Sequence, residues 1–211
     1  RPLPQDLHSF PTRRSSDLAL ARLVERAGAV AVVAEGGESG GHVGDLTTMT
    51  LVPQVVDAVD VPVVAAGGIA DGRGVAAALM LGAVGVQVGT RFLVADECTV
   101  SEEYKERILK ANDIATMVTG RRDDGAVRCL KTPFSRRYAK LEKEGASKEE
   151  LAELGRGSLR KAAVDGNYEE GSFMAGQSAG LVTRRQPAAD IVDDLLEGAE
   201  EVLRGATRWV R

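Results

Sequence analysis

The stretch VPVVAAGGIADGRGVAAALMLGAVGVQVGT, residues 61–90, alternates between strand and helix patterns. Residues 61–66 form a continuous, β-branched apolar run that ends in a glycine pair, and residues 85–88 form a second run that ends in Gly-Thr. Between them, Asp71 is placed to cap a helix that runs to Leu81. Strands that are apolar on both faces are typical of a parallel sheet. The stretch therefore predicts a β-α-β unit.

The residues before this stretch repeat the pattern. Residues 20–27 carry the apolar face of a helix, and residues 29–34 read as a buried strand. A helix with its apolar face in residues 51–59 follows, with Thr50 as its cap and Pro53 in its first turn, where a missing N–H costs little. Three strands that alternate with helices within about seventy residues predict an α/β fold with a parallel sheet.

In the later part of the chain, the predicted helices and strands no longer alternate regularly. The patterns predict a charged helix at residues 102–110, short strands at 114–119 and 126–130, a mostly helical stretch at 134–164 and an amphipathic helix at 188–204. This part is expected to form a smaller domain, with the final helix returning to the first one.

Residues 1–18 are expected not to belong to the native protein. Residues 8–18, HSFPTRRSSDL, carry no apolar periodicity and look like the translation of a widely used sequencing adapter. No apolar run follows the Arg13-Arg14 pair, which argues against a signal peptide. A native disordered arm is the alternative. With this segment set aside, His42 is the one native histidine.

Composition argues against several classes of function. The chain has 211 residues, a formal net charge of −4 and no block of basic residues, so nucleic-acid binding is not expected. Its longest uncharged apolar run, residues 74–89, is broken by glycines and is shorter than the roughly 18 residues of a membrane helix. Cys98 and Cys129 form no CxxC pair, and no histidine cluster suggests a metal site. We expect a soluble, cytoplasmic protein.

The predicted strands end in residues that suit a phosphate. In parallel α/β sheets and barrels, ligands bind at the carboxyl ends of the strands. Gly67-Gly68 and Gly89-Thr90 stand at two such ends, each at the entrance to a helix, and offer backbone N–H groups and a hydroxyl. This pattern predicts a cofactor that carries a phosphate. The alternative is that the glycines only form tight turns.

The loop after the first strand, EGGESGGHVG at residues 35–44, contains the histidine. His42 lies among glycines, so its ring is expected to reach the cleft, with a structural role as the alternative. Glu35 is placed to bind a ligand hydroxyl or to orient the loop, and Glu38 is expected to face solvent. The lack of further native histidines and of a cysteine in this loop argues against metal-dependent hydrolysis and thiol catalysis.

Four separated segments resemble one enzyme family. They are AEGGESGGHVGDLTTMTLVPQV (34–55), VPVVAAGGIADG (61–72), LGAVGVQVGTRF (81–92) and FMAGQSAGLV (173–182). Together they look like the flavin-dependent enoyl-acyl-carrier-protein reductase II group, within the wider nitronate monooxygenase (2-nitropropane dioxygenase) family. The resemblance covers essentially residue 19 to the end of the chain.

The resemblance implies a (β/α)8 TIM barrel that holds FMN, with a smaller α+β domain inserted after the last strand. Such a barrel takes about 250 residues, and the three predicted strands correspond to the family's last three. We therefore expect an α/β, partial (β/α)8 barrel from a carboxyl-terminal fragment. Its parts would be the barrel portion (19–95), the smaller, mostly helical domain (96–172), and a return loop with a helix that packs on the barrel (173–211).

The resemblance also implies the site residues. Those carried over as FMN contacts are Gly67, Gly68, Gly89 and Thr90 at the phosphate, Glu35 and Gly41 near the flavin, and Met174 and Gln177 on the return loop. His42 would be the catalytic histidine. In a reductase, NADH or NADPH would reduce FMN, hydride would pass to an enoyl thioester, and His42 would stabilise or protonate the enolate.

Three functions stay open at this point. The segment LTTMTL at residues 46–51 favours the reductase, which would act on acyl-carrier-protein thioesters in fatty acid biosynthesis. The second is a nitronate monooxygenase that oxidises small nitro compounds with oxygen, with His42 as a base or electrostatic partner. The third is an inactive, truncated fragment. A homodimer is an open alternative to a monomer.

Overall fold

A computed structural model describes residues 17–121 and 125–209. The segment predicted to be non-native, residues 1–18, lies outside this part of the chain except for its last two residues.

The helices are α1 (Asp17–Arg26), α2 (Thr48–Val56), α3 (Gly72–Met80), α4 (Glu102–Leu109), α5 (Pro133–Glu144), α6 (Lys148–Gly155), α7 (Ser158–Ala163) and α8 (Ala188–Gly205). The strands are β1 (Val32–Glu35), β2 (Gly41–His42), β3 (Val63–Ala66), β4 (Gly85–Gln87), β5 (Thr116–Thr119) and β6 (Val127–Leu130). Short 3₁₀ segments span Thr90–Val94, Gln177–Leu181 and Ala206–Trp209. None of the helices in the two described ranges is long and apolar enough to cross a membrane.

The first sheet is parallel, as the apolar runs predict, and its strand order is β1-β3-β4. Val32 pairs with Val63, and Val64 pairs with Gly85, so the carboxyl ends of the three strands lie at one edge. β1 starts later than predicted because the Ala29 N–H still bonds to the last turn of α1. The chain is thus an α/β fold, and its loops after β1, β3 and β4 meet.

The second sheet is antiparallel and has the order β2-β6-β5. β5 and β6 form the two short strands that the sequence predicts. β2 was expected to be part of a loop, but Gly41 pairs with Arg128 and His42 pairs with Val127. A strand of two residues has no alternation that a sequence can reveal. The glycine-rich loop is therefore tied to the second sheet as well as to the first.

Helix α2 begins earlier than the sequence predicts. Thr47, and not Thr50, stands before the first helical residue, and its side chain makes no capping hydrogen bond. Pro53 lies inside the helix and not in its first turn. The amino terminus of α2 therefore needs an acceptor from elsewhere in the chain.

Two apolar clusters fill the structure. The first lies between the parallel sheet and helices α1, α2, α3 and α8, with Val52 and Ile191 fully buried. The second surrounds Phe173 and includes residues of α4 and β6. Helices α3 and α8 approach closely, because a Cβ added to Gly72 would lie 2.2 Å from the carbonyl carbon of Gly198. The domain boundaries given above stay predictions.

Candidate cofactor site

A cavity of about 280 Å³ opens at the carboxyl ends of the three parallel strands. Seven of the residues that line it were predicted from the sequence as cofactor contacts: Glu35, Gly41, Gly67, Gly68, Gly89, Thr90 and Met174. Glu35 ends β1, Gly41 lies in β2, Gly67, Gly68, Gly89 and Thr90 follow β3 and β4, and Met174 comes from the return loop. The structure thus brings together, around one space, residues that are far apart in the sequence.

The Gly67-Gly68 turn requires glycine for reasons of backbone geometry. Both residues have positive φ angles, +91° at Gly67 and +73° at Gly68. A Cβ added to Gly67 would also lie 2.7 Å from the carbonyl oxygen of Gly36. Side chains are therefore excluded here whether or not a ligand binds. The glycine pair fits a phosphate but does not by itself demonstrate one.

Thr90 begins the 3₁₀ segment that follows β4, and its side chain is buried. Its hydroxyl oxygen accepts a hydrogen bond of 2.9 Å from the Gly176 N–H on the return loop. A hydroxyl that accepts one bond can still donate another. Thr90 therefore links the return loop to β4 and keeps a proton to offer to a ligand.

Asp71 caps the amino terminus of α3, as the sequence predicts: its carboxylate accepts from the N–H groups of Arg73 at 3.0 Å and Gly74 at 3.4 Å. These N–H groups are therefore not free for a phosphate, although the sequence pattern also predicted a phosphate at the helix entrance after Gly67-Gly68. A hydrogen bond from the Arg73 guanidinium lowers the pKa of Asp71, so this cap stays ionised at neutral pH. An anion would meet a negative charge there. Of the two helix starts predicted to offer N–H groups to a phosphate, the amino terminus of the 3₁₀ segment Thr90–Val94 is the one that remains.

Glu38 was expected to face solvent, and this prediction is wrong. Its carboxylate accepts hydrogen bonds from the Thr48 N–H at 2.9 and 3.1 Å and from the Thr48 hydroxyl at 3.0 Å. Glu38 thus supplies the acceptor that α2 lacks in its own preceding residues. The Thr48 hydroxyl also lies 3.2 Å from the Ala66 carbonyl oxygen and 3.0 Å from that of Gly67. This pair of side chains connects the glycine-rich loop to the end of β3.

The second sheet holds the glycine-rich loop from the other side. The Arg128 guanidinium donates to the Gly37 carbonyl from Nε at 3.0 Å and from Nη2 at 2.9 Å. Partial burial lowers the pKa of Arg128, but the side chain remains charged because its ordinary pKa is far above neutrality. The Gly37 N–H donates to the Leu46 carbonyl at 2.7 Å. Both polar backbone groups of Gly37, its carbonyl and its N–H, are therefore hydrogen-bonded, and these bonds hold the loop in place.

The return loop is anchored by three backbone groups. The Tyr104 hydroxyl donates to the Met174 carbonyl at 2.7 Å, and burial raises the pKa of Tyr104, which keeps this donor protonated. The Gln177 N–H donates to the Glu38 carbonyl at 2.8 Å. A Cβ added to Gly40 would lie 2.6 Å from the Ala175 carbonyl carbon, so the two loops touch. The Gln177 side chain itself is exposed and is not among the residues that line the cavity.

His42 is also outside the lining of the cavity. It is exposed on β2, next to Gly41, which does line it. The expectation that its ring faces the flavin is not reproduced by this arrangement. Its catalytic role stays a prediction.

Sequence reasoning missed Ser39. This side chain lines the cavity and is 9% exposed, and its hydroxyl has no hydrogen-bond partner within the described part of the chain. Buried polar atoms are nearly always paired. Its position between Glu38 and Gly40 was the available signal, because a small polar residue within a glycine-rich loop is free to face a ligand.

A larger cavity, of about 1010 Å³, lies between α3 and α8. Its arginines include Arg73 and Arg184, which form ion pairs with Asp71 at 2.6 Å and with Asp194 at 2.7 Å. These guanidinium groups already have partners. We therefore place the candidate cofactor site in the smaller cavity, which the residues predicted as cofactor contacts line.

Comparison with known proteins identifies the family. The family model described as nitronate monooxygenase matches residues 12–198. The chain belongs to the nitronate monooxygenase family. A curated Staphylococcus aureus (strain MSSA476) relative, named "Probable nitronate monooxygenase", is 37% identical over 204 residues, which cover 92% of this chain and 56% of the relative. The chain thus spans about half the length of the curated relatives it matches.

Solved structures support the same family. FabK from Thermotoga maritima is 49% identical with a TM-score of 0.88, and the match covers 92% of this chain and 61% of FabK. Nitroalkane oxidase from Streptomyces ansochromogenes is 33% identical with a TM-score of 0.76, and the match covers 89% of this chain and 56% of the oxidase. The chain is thus similar in sequence and structure both to FabK and to a nitroalkane oxidase.

Proposed function

We propose that a protein of full family length carrying these residues is an FMN-dependent oxidoreductase that reduces enoyl-acyl-carrier-protein with NADH or NADPH. The observation that carries the reductase is the 49% identity to T. maritima FabK, against 33% to the nitroalkane oxidase. We take FabK to represent the enoyl-acyl-carrier-protein reductase II group that the four sequence segments resemble. The substrate would be an acyl-carrier-protein thioester.

The residues around the cavity fit FMN. Gly68 and Gly89 place no side chain between the backbone and the cavity, and Thr90 keeps a proton to donate. The buried, unpartnered hydroxyl of Ser39 is further support for a polar ligand. Two glycine-ended strands can hold one phosphate and offer no second glycine-rich turn for a pyrophosphate, which favours FMN over FAD. When bound, FMN would supply hydride transfer between the nicotinamide and the substrate.

We assign His42 a role toward the substrate and not toward the cofactor. Its exposed position beside Gly41 supports this, because a thioester that arrives from solvent can meet an exposed imidazole. An imidazole ring has one nitrogen that can donate a proton and one that can accept it. His42 would stabilise or protonate the enolate oxygen or carbon of the substrate.

The test uses purified protein of full family length. We expect a yellow protein that releases FMN on denaturation and oxidises NADH or NADPH when a crotonyl thioester is added. FAD in place of FMN, or no flavin after reconstitution, would contradict the cofactor assignment.

Nitronate monooxygenase activity is the second candidate, and the name of the S. aureus relative favours it. In that case the protein would consume oxygen with an alkyl nitronate and leave the crotonyl thioester unchanged. A small nitro compound would then be the substrate, and His42 would act as a base or an electrostatic partner.

A further inference from the structure

The Ser39 hydroxyl is the unusual polar atom of the cavity. Ser39 is 9% exposed, and its oxygen has no hydrogen-bond partner among the residues the structure describes. A buried hydroxyl without a partner leaves the cost of its desolvation uncompensated. Such a cost is offset when the partner is a ligand that binds at the same place.

Three other buried hydroxyl groups, those of Thr48, Thr90 and Ser135, have protein partners. Thr48 contacts Glu38 at 3.0 Å, and Thr90 accepts from Gly176 at 2.9 Å. Ser135 lies 2.8 Å from the Thr132 N–H and 3.0 Å from the Leu130 carbonyl. These hydroxyl groups are thus satisfied within the fold, whereas Ser39, which lines the cavity, has a buried hydroxyl with no partner in the described part of the chain.

Gly176 locates Ser39 relative to Thr90. The Gly176 N–H donates to the Thr90 hydroxyl oxygen at 2.9 Å. A Cβ added to the same glycine would lie 3.3 Å from the Ser39 carbonyl carbon. Ser39 and Thr90 thus flank one glycine and line one cavity. Two hydroxyl-bearing residues that are neighbours of one glycine and line one small cavity can bind the same polar group.

We propose that Ser39 is a binding residue for the phosphate of FMN, and that its hydroxyl and that of Thr90 donate to the same phosphate group. The proposal rests on the proposed function. A phosphate offers several charged oxygen atoms within a small volume, so two hydroxyl donors and the N–H groups of the glycine turns can bind it together.

The test compares FMN with riboflavin, which lacks the phosphate, in apoprotein of full family length. Binding is followed by the quenching of flavin fluorescence. Ser39→Ala should weaken FMN binding by about tenfold to 100-fold, the range for one hydrogen bond to a charged group. It should change riboflavin binding by less than about threefold, because that ligand has no phosphate to lose contact with. Ser158→Ala, a change at a serine that is 7% exposed and outside the cavity, should change neither.

A stability measurement distinguishes binding from a structural role. Because Ser39→Ala removes an unpaired buried hydroxyl, the apoprotein should melt at the same temperature as the wild type or higher. An apoprotein that melts lower would show that the hydroxyl supports the fold, and would overturn the proposal.

The flavin data separate failure of this proposal from failure of the proposed function. Unchanged FMN binding by Ser39→Ala, or an equal loss for FMN and riboflavin, would overturn the phosphate assignment while leaving the flavin site intact. If the wild-type protein binds neither flavin, the proposed function fails and the assignment of Ser39 fails with it.

Discussion

Removal of the Glu38 carboxylate should destabilise the loop that forms one wall of the cavity. Glu38 accepts from the first N–H of α2, that of Thr48, at 2.9 Å, and from the Thr48 hydroxyl at 3.0 Å. Thr47, the preceding residue, makes no side-chain cap. In Glu38→Ala, the N–H therefore loses its protein acceptor and the positive end of the helix dipole loses a carboxylate.

The size of the effect follows from these two contacts. The loss of a helix cap costs about 0.5–2 kcal/mol, and a hydrogen bond to a charged group contributes about 1.5–3 kcal/mol. The Thr48 hydroxyl can turn to the Ala66 or Gly67 carbonyl, so its own loss is small. We expect Glu38→Ala to lower the free energy of unfolding by about 2 kcal/mol, and Glu38→Gln, which keeps a neutral acceptor, by about 1 kcal/mol.

Urea unfolding of the apoprotein of full family length measures this difference, provided that the slope with denaturant is the same for all variants. Glu197→Ala is the matched control, because Glu197 is exposed on α8 and should shift the free energy by less than about 0.5 kcal/mol. If Glu38→Ala were no more destabilising than Glu197→Ala, the capping role of Glu38 would be refuted.

Three further predictions concern catalysis, pH and assembly. His42→Ala should retain FMN while turnover of the oxidising substrate falls by roughly 100-fold or more, because acid–base catalysis is lost. Loss of flavin with unchanged turnover would indicate a structural role instead. Burial raises the pKa of the Cys129 thiol from 9.0 to about 11, so the folded protein keeps this proton longer than the unfolded chain. The contribution of Cys129 to stability should then be constant below about pH 9 and be lost, on the order of 2 kcal/mol, as the pH rises to about 11, so Cys129→Ala should reduce the fall in stability over that range in urea titrations. Residues 19–211 expressed alone should aggregate or bind FMN weakly, because β1 and β4 are open edges of the parallel sheet and Val33 and Val84 are 48% and 65% exposed. A monodisperse monomer in analytical ultracentrifugation that binds FMN with micromolar affinity would contradict this.

The parallel sheet could be predicted because its strands are short, largely apolar runs, two of which are followed by Gly-Gly or Gly-Thr. Asp71 was predicted as the cap of α3, and it has that role in the structure. The antiparallel pair of β5 and β6 was also indicated by its short apolar runs on either side of a turn. In each case the signal is local, so a window of a few residues contains it.

The features that sequence reasoning missed depend on contacts between distant residues. The cap of α2 comes from Glu38, ten residues before the helix residue it contacts, so the nearby Thr50 misled the prediction. β2 exists because β6 is beside it. The unpaired hydroxyl of Ser39 is a property of its surroundings, and no residue type reveals it. Seven of the predicted contact residues do meet at one cavity, and their binding of FMN stays a prediction.

Because β2 pairs with β6, different walls of the cavity are held by two different sheets. Gly67, Gly68 and Thr90 follow strands of the parallel sheet, whereas Gly41 is itself a member of the antiparallel sheet. A displacement of one sheet against the other would therefore change the width of the opening while leaving the Gly67–Thr90 wall unaltered. The wall formed by Gly67, Gly68 and Thr90 and the wall formed by Gly41, next to His42, are thus held by different sheets and can move independently.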